Sequence, residues 1–408
     1  MKKLSYPKNK IKILLLEDVH INAKNTFSTG GFDVDLIATS LDEDELCQRI
    51  KGISILGIRS KTIITKKILE HADRLMAIGA FCIGTNQIDI DEAMERGIAV
   101  FNAPYGNTRS VVELAIGEII MLIRSLPDKM RSMHNGIWDK SATNSFEIRN
   151  KILGIIGYGN IGSQLSVVAE AMGMQVYYYD IEEKLALGNA TPCESIDELL
   201  LISDIVSIHV DGRQENKNMI GDKQFTNMKD GVIFINLSRG HVVDIHSLKK
   251  HLDSGKVRGT AIDVYPKEPK SNNEPFESEL IGTPNTILTP HIGGSTLEAQ
   301  INIGAFVPNN LIKFINTGNT AGSVNFPQIQ LSVLENGHRL IHIHQNIPGL
   351  LAQLNKILAD HKINILGQYL KTNETIGYVI TDINEEYPAE FIDELKSIHG
   401  TIKVRVLF

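Results

Sequence analysis

The sequence predicts an α/β protein with two Rossmann-like, doubly wound parallel-sheet domains and a C-terminal ferredoxin-like α+β domain. Three observations predict it. Short apolar runs alternate with helix-period segments in two successive series, which is the pattern of parallel sheets covered on both faces. A G-x-G-x-x-G turn opens the second series, and the tail follows a β-α-β-β-α-β order. A chain of 408 residues is also long for one core, so two or three domains are expected.

In the first series Ile11–Leu16, Asp33–Ile37, Ile53–Ile58, Leu75–Ile78 and Ala99–Phe101 read as strands. Helices are expected near Leu41–Ile50, Thr65–His71 and Asp89–Arg96. The loop Pro104-Tyr105-Gly106-Asn107 precedes a long helix that Asn107 or Ser110 can cap, Ser110 with Glu113 having capping-box spacing. The second series places strands at Ile152–Ile156, Gln175–Tyr179, Ile205–His209, Val232–Leu237, Gly259–Val264 and Thr286–Leu288. The polar, turn-rich run 318–330 reads as a linker. The tail reads as strand Leu340–His344, helix Pro348–Asp360, strands Asn364–Leu370 and Gly377–Asp382, helix Ala389–Ile398 and strand Ile402–Leu407.

The composition excludes several classes. With 42% hydrophobic and 22% charged residues it is that of a globular protein, and a net charge of -7 offers no basic field for nucleic acid. Three scattered cysteines, Cys47, Cys82 and Cys193, suggest free thiols and no metal site. The basic start MKKLSYPKNK has no apolar core behind it, and the apolar stretch Val111–Leu126 carries Glu113, Glu118 and Arg124. No signal peptide and no membrane span are expected, and the cytoplasm is the expected location.

The turn GYGNIG spans residues 157–162, between a strand and a helix. In that context Gly157 allows the tight turn, Gly159 lets a pyrophosphate approach the backbone, and Gly162 lets helix and strand pack. The next strand ends at Asp180, placed to accept hydrogen bonds from ribose hydroxyls. Ile181, Glu182 and Glu183 follow it, with no Arg for a 2′-phosphate, so NAD is preferred to NADP.

Three further strand ends carry chemistry. Asn236-Leu237-Ser238-Arg239-Gly240 supplies Arg239, Val264–Pro269 supplies Glu268, and Thr289–Ser295 supplies His291. Hydride removal from a 2-hydroxy acid needs a cation for the carboxylate, a base for the hydroxyl proton and a group that orients the base. Arg239, His291 and Glu268 suit these roles in that order.

These stretches, with Asp244, Gly57–Thr62, Ala77–Asp89, Phe101–Glu113 and the tail, resemble the D-isomer-specific 2-hydroxyacid dehydrogenases. The resemblance covers nearly the whole chain and is closest to the branch that oxidises phosphoglycerate and carries one C-terminal ACT domain. It implies Arg239, Glu268 and His291 as the catalytic set. It implies NAD contacts at Asn160, Ile161, Asp180, Leu237, Ser238, Asp263, Gly293 and Gly294, with Asp263 on the nicotinamide carboxamide. It also implies a discontinuous substrate domain (1–105 with 297–330), an NAD domain (106–296) and an ACT domain (337–408).

Arg59, Ser60 and Lys61, after the third strand, suit a small dianion through backbone N–H groups, a hydroxyl and two cations. The family resemblance favours phosphate there, with Asn107 also touching substrate, although Lys61 stands where Arg is expected. The loop His209–Gly212 lacks an expected Pro, and Asn336-Gly337 stands where a hinge of two glycines is usual. In the tail, His344, Asn346 and Asn364 map to an L-serine site, the last from a neighbouring chain, while capping of the following helix is the plainer role for Asn346. The resemblance thus implies oxidation of 3-phospho-D-glycerate, L-serine as effector and a homotetramer. Two alternatives remain: the same chemistry on an unphosphorylated acid such as 2-hydroxyglutarate or 2-oxoglutarate, and a non-catalytic dinucleotide sensor.

Overall fold

The computed structural model describes residues 7–269, 273–334, 337–384 and 387–407. Two compact units emerge. One gathers the chain up to Gly106 with the chain from Gln300 onward, and the other is Asn107–Ala299.

The first unit begins with strands β1 (Lys12–Leu15), β2 (Asp33–Leu36), β3 (Ile55–Ile58), β4 (Ala77–Ala80) and β5 (Ala99–Phe101). They form a parallel sheet in the order β2-β1-β3-β4-β5. Every residue of β3, β4 and β5 is buried, as a sheet covered on both faces requires. Helices α1 (Ile21–Thr29), α2 (Glu43–Arg49), α3 (Lys66–His71) and α4 (Ile90–Glu95) make the crossovers. The sequence pattern misses α1, whose Asn- and Thr-rich residues favour helix weakly. Burial of Ala23 and Phe27 stabilises it, and the His20 ring caps it by accepting the Asn22 N–H.

The second unit opens with α5 (Thr108–Ile123) and α6 (Leu126–His134). Strands β6 (Ile152–Ile156), β7 (Gln175–Tyr179), β8 (Thr191–Pro192), β9 (Ile205–Ile208), β10 (Val232–Asn236), β11 (Val257–Ile262) and β12 (Thr286–Leu288) follow. Their order, β12-β11-β10-β9-β6-β7-β8, reverses direction between β6 and β9. Interleaved are α7 (Asn160–Ala171), α8 (Ile196–Ile202), α9 (Asp222–Asn227) and α10 (Ile245–Asp253). The expected capping box at Ser110 does not form. Helix α5 starts three residues earlier than that box requires, so the Ser110 hydroxyl bonds Thr296 Oγ1 at 2.7 Å and Glu113 pairs with Arg109. Asn107 takes the cap position without a capping side-chain bond.

After α11 (Leu297–Thr317), the run 318–330 is no linker. Val324 N–H donates to Val100 O, and Asn325 bonds both Val100 N and Ile98 O at 2.9 Å, so the segment completes the β5 edge. Thr320, Ser323 and Asn325 are buried, and Asn325 stands in for a strand partner, which composition alone cannot reveal.

The tail forms β13 (His338–Gln345), α12 (Leu350–Asp360), β14 (Ile365–Thr372), β15 (Ile376–Ile383), α13 (Ala389–Ser397) and β16 (Thr401–Leu407). The antiparallel sheet runs β14-β15-β13-β16. Leu340, Val379 and Ile383 face the two helices, and Ile341, Ile343 and Tyr378 join Phe314 and Phe326 in the first core. Each such buried side chain contributes about 1.5–3 kcal/mol. Tyr378, fully buried, donates its hydroxyl to Gly318 O at 2.8 Å. Asn336 of the expected hinge lies outside the described residues, while Gly337 has φ +115 and abuts the Ile383 carbonyl, leaving no room for a Cβ.

Candidate active site

Open α/β sheets bind ligands past their strand C-termini, at the point where strand order reverses. In the second unit that point lies between β6 and β9. Gly157 turns there with φ +92, and a Cβ would come within 2.7 Å of the His209 backbone. A Cβ on Gly162 would collide with Gly157 O, whereas Gly159 faces open space. Asn160 and Ile161 start α7 without a side-chain cap, and the positive end of the helix dipole favours an anion. Asp180 accepts the Tyr158 N–H at 2.8 Å and the Glu182 N–H at 3.0 Å, which ties β7 to the glycine turn. Tyr158 stacks on Tyr178 at 3.7 Å and fixes the turn from below. An open glycine at a helix start, with a carboxylate at the next strand end, fits a dinucleotide.

The β10, β11 and β12 ends carry Arg239, Glu268 and His291. His291 Nδ1 lies 2.8 Å from Glu268 Oε2, and Glu268 Oε1 accepts the Tyr265 N–H at 3.0 Å. The Glu268 hydrogen bond raises the His291 pKa above its ordinary value, against burial. Burial works to raise the Glu268 carboxyl, but the bond and charge of His291 carry it lower. The Arg239 charge is felt by both. His291 sits at φ +54, a left-handed conformation that the surrounding loop must enforce.

Asp263 does much of that enforcing. Its oxygens accept the Thr289 hydroxyl at 2.6 Å and the Ile292 and Gly293 N–H groups, each at 2.8 Å. Burial nonetheless raises its pKa. Asn107 packs its amide against Gly294, where a Cβ would collide. Leu237 and Ser238 are buried beneath the Arg239 turn.

Sequence reasoning missed three residues here. Buried Asn236 accepts from Ser238 N and Oγ and donates to Arg239 O at 3.0 Å, locking the Arg239 turn. The NLSRG stretch signalled it, since an Asn ending a buried strand needs partners. Thr289 holds Asp263. Glu118 on α5 is 2% exposed with both oxygens unpartnered, and burial pushes its pKa up to about 8, with the Asp263 charge adding to the effect.

In the first unit Arg59 is half-buried, and Ser60 and Lys61 are exposed. Of the backbone amides in this loop, those of Lys61 and Thr62 are not open to an anion. Glu17 Oε2 already accepts Lys61 N–H at 2.9 Å and Oε1 accepts Thr62 N–H at 2.8 Å. In the tail, His344 is buried with its pKa lowered by burial, and Nδ1 bonds Gln345 O at 2.7 Å. Asn346 donates to Asn373 O at 2.8 Å and caps nothing; Gly349 holds the α12 cap position. Strand register puts exposed Asn364 at the far end of the sheet from His344, roughly 20 Å along the strands. One chain does not bring the three together. Cys47, Cys82 and Cys193 are free thiols. No helix among the described residues is long and apolar enough to cross a membrane.

Fold and site define an NAD-dependent dehydrogenase of 2-hydroxy acids. Residues 116–293 match the D-isomer specific 2-hydroxyacid dehydrogenase NAD binding domain, and residues 340–403 match an AHAS small subunit-like ACT domain. The D-3-phosphoglycerate dehydrogenase of Dictyostelium discoideum is 51% identical over 404 residues, 99% of each chain. That of Haemophilus influenzae is 49% identical over 407 residues, covering 100% of this chain and 99% of its own. A solved D-lactate dehydrogenase from Aquifex aeolicus, complexed with NAD and lactic acid, is 26% identical with a TM-score of 0.66. The match covers 78% of this chain and 100% of that one. The chain belongs to the D-3-phosphoglycerate dehydrogenase family.

Proposed function

We propose that the protein oxidises 3-phospho-D-glycerate to 3-phosphohydroxypyruvate, the entry step of L-serine synthesis, and is inhibited by L-serine. The observation that carries the chemistry is the His291–Glu268 pair at 2.8 Å beside Arg239. Arg239 holds the substrate carboxylate and polarises the reacting C–O bond. His291 Nε2, without a hydrogen-bond partner among the described residues, takes the hydroxyl proton. Glu268 keeps Nδ1 protonated and steadies the imidazolium that forms. NAD, which the Gly157–Gly162 turn and Asp180 would hold, would supply the hydride acceptor. Arg59, Ser60 and Lys61 take the phosphate through side chains, and Asn107 contacts substrate. Asp180 selects NAD by meeting the ribose hydroxyls.

Two surfaces support a homotetramer. Met130, Met133, Ile137 and Trp138 are exposed in the second unit, and Ile365, Leu366, Tyr369 and Leu370 are exposed on edge strand β14. Two apolar patches on one chain suit two kinds of self-contact. The distance between His344 and Asn364 supports a serine site completed by a second chain. The test is NADH formation by purified protein on 3-phosphoglycerate, 2-hydroxyglutarate and D-lactate, with and without L-serine. Turnover of the phosphorylated substrate, lowered by millimolar serine, is expected. Preference for an unphosphorylated acid overturns the substrate, serine insensitivity overturns the regulation, and no turnover at all favours a dinucleotide sensor.

A further inference from the structure

We propose that Glu17 is a positioning residue for the phosphate loop, filling the backbone anion cradle of Lys61 and Thr62 so that the Arg59, Ser60 and Lys61 side chains are presented to the substrate. The proposal rests on the assignment of Arg59–Lys61 to the phosphate.

The first sheet reverses strand order between β1 and β3, and its ligand crevice is expected past their ends. Glu17 follows β1, and Arg59–Thr62 follow β3. Successive amides such as those of Lys61 and Thr62 form an anion-binding concavity. Here the carboxylate of Glu17, 7% exposed, fills it with one oxygen on each N–H. The backbone bends to bring it there. Glu17 and Asp18 have φ +64 and +50, left-handed values that are uncommon for residues other than glycine. The other flank of the loop is held by Gln87, whose Nε2 donates to Arg59 O at 2.6 Å, and by Ile64 N–H on Gln87 O at 2.7 Å.

The electrostatic consequence is direct. A cradle filled by a carboxylate presents no N–H to a second anion, and its charge repels one brought to the same spot. The cations are a different matter. Among the described residues neither the Arg59 nor the Lys61 side chain has an ion-pair partner, although acidic residues are common on the surface. The loop therefore has a clamped backbone and two uncommitted positive heads, with the Ser60 hydroxyl between them. Holding the backbone spares the heads the entropy of ordering it when substrate arrives.

Steady-state kinetics of the full-length protein test this. Glu17→Gln keeps one acceptor but turns an NH2 toward a backbone N–H. KM for 3-phosphoglycerate should rise about tenfold, with kcat and KM for NAD changing less than about twofold. Competitive inhibition by inorganic phosphate should weaken in parallel. Gln87→Ala should move the same constants in the same direction by less. A purely structural Glu17 predicts another result: lower Tm and fewer active molecules, with KM of the remainder unchanged, and that overturns the proposal. Should Glu17→Gln fail to fold, an unchanged KM in Gln87→Ala overturns it equally. Arg59→Ala separates the two levels. If it raises KM while Glu17→Gln does not, only the positioning role falls. If it leaves KM unchanged, the phosphate assignment falls and takes the Glu17 role with it.

Discussion

The two parallel sheets meet the same topological situation and resolve it in opposite ways. Each reverses strand order beside its first strand, and each ends that strand in a sharp left-handed turn. After β6 the turn uses Gly157, leads straight into α7 and leaves space above Gly159. After β1 it uses Glu17 and Asp18, whose strain the fold must offset, and Glu17 closes the crevice with its own carboxylate. The helix that follows differs too. α1 is capped by the His20 side chain, whereas α7 has no side-chain cap. Topology thus supplies a crevice, and the residues in it decide whether backbone or side chains meet the anion.

The largest effect that would sharpen this contrast lies at the second sheet. Replacing His291 by Asn should lower kcat by roughly two to four orders of magnitude while NAD affinity, followed by fluorescence titration, stays near normal. A near-normal kcat would remove His291 from proton transfer and leave the second crevice a binding site only.

The next largest concerns what the open crevice selects. Asp180→Ala should weaken NAD binding about tenfold or more and narrow the preference over NADP, since the carboxylate proposed to meet the ribose is gone. Comparing kcat/KM for the two cofactors reads this directly. Unchanged discrimination would mean that the choice is made elsewhere than at the β7 end.

The smallest is a displacement along the pH axis. His291 must be neutral to accept a proton, so kcat/KM for oxidation climbs as pH rises through its pKa. Glu268 holds that pKa above the ordinary value. Glu268→Gln removes the charge, lowers the pKa and should move the rising limb to lower pH by about one unit or less. A limb that stays in place would show that Glu268 does not set the histidine's protonation.

Legibility followed sequence distance. The glycine turn and Asp180 could be read because their geometry is local, a strand leading into a helix start. Arg239, Glu268 and His291 could be read because each closes an apolar run. Residues that act on distant partners gave no such sign. Glu17 bonds residues 44 and 45 positions away, and Asn325 bonds Val100 across 225. Helix α1 went unread because its residues favour helix weakly, and β8 because two residues carry no period.

By itself the sequence determined the layered α/β class, the dinucleotide turn and the chemical types at three strand ends. Those follow from periodicity and from the φ values that glycine permits, both properties of neighbours along the chain. Only the tertiary structure decided which polar groups are already spent. It assigned the Lys61 and Thr62 amides to Glu17, the Ile292 and Gly293 amides to Asp263, and the β5 edge to Asn325. A buried donor must find an acceptor, and which acceptor it finds depends on what folding brings alongside it.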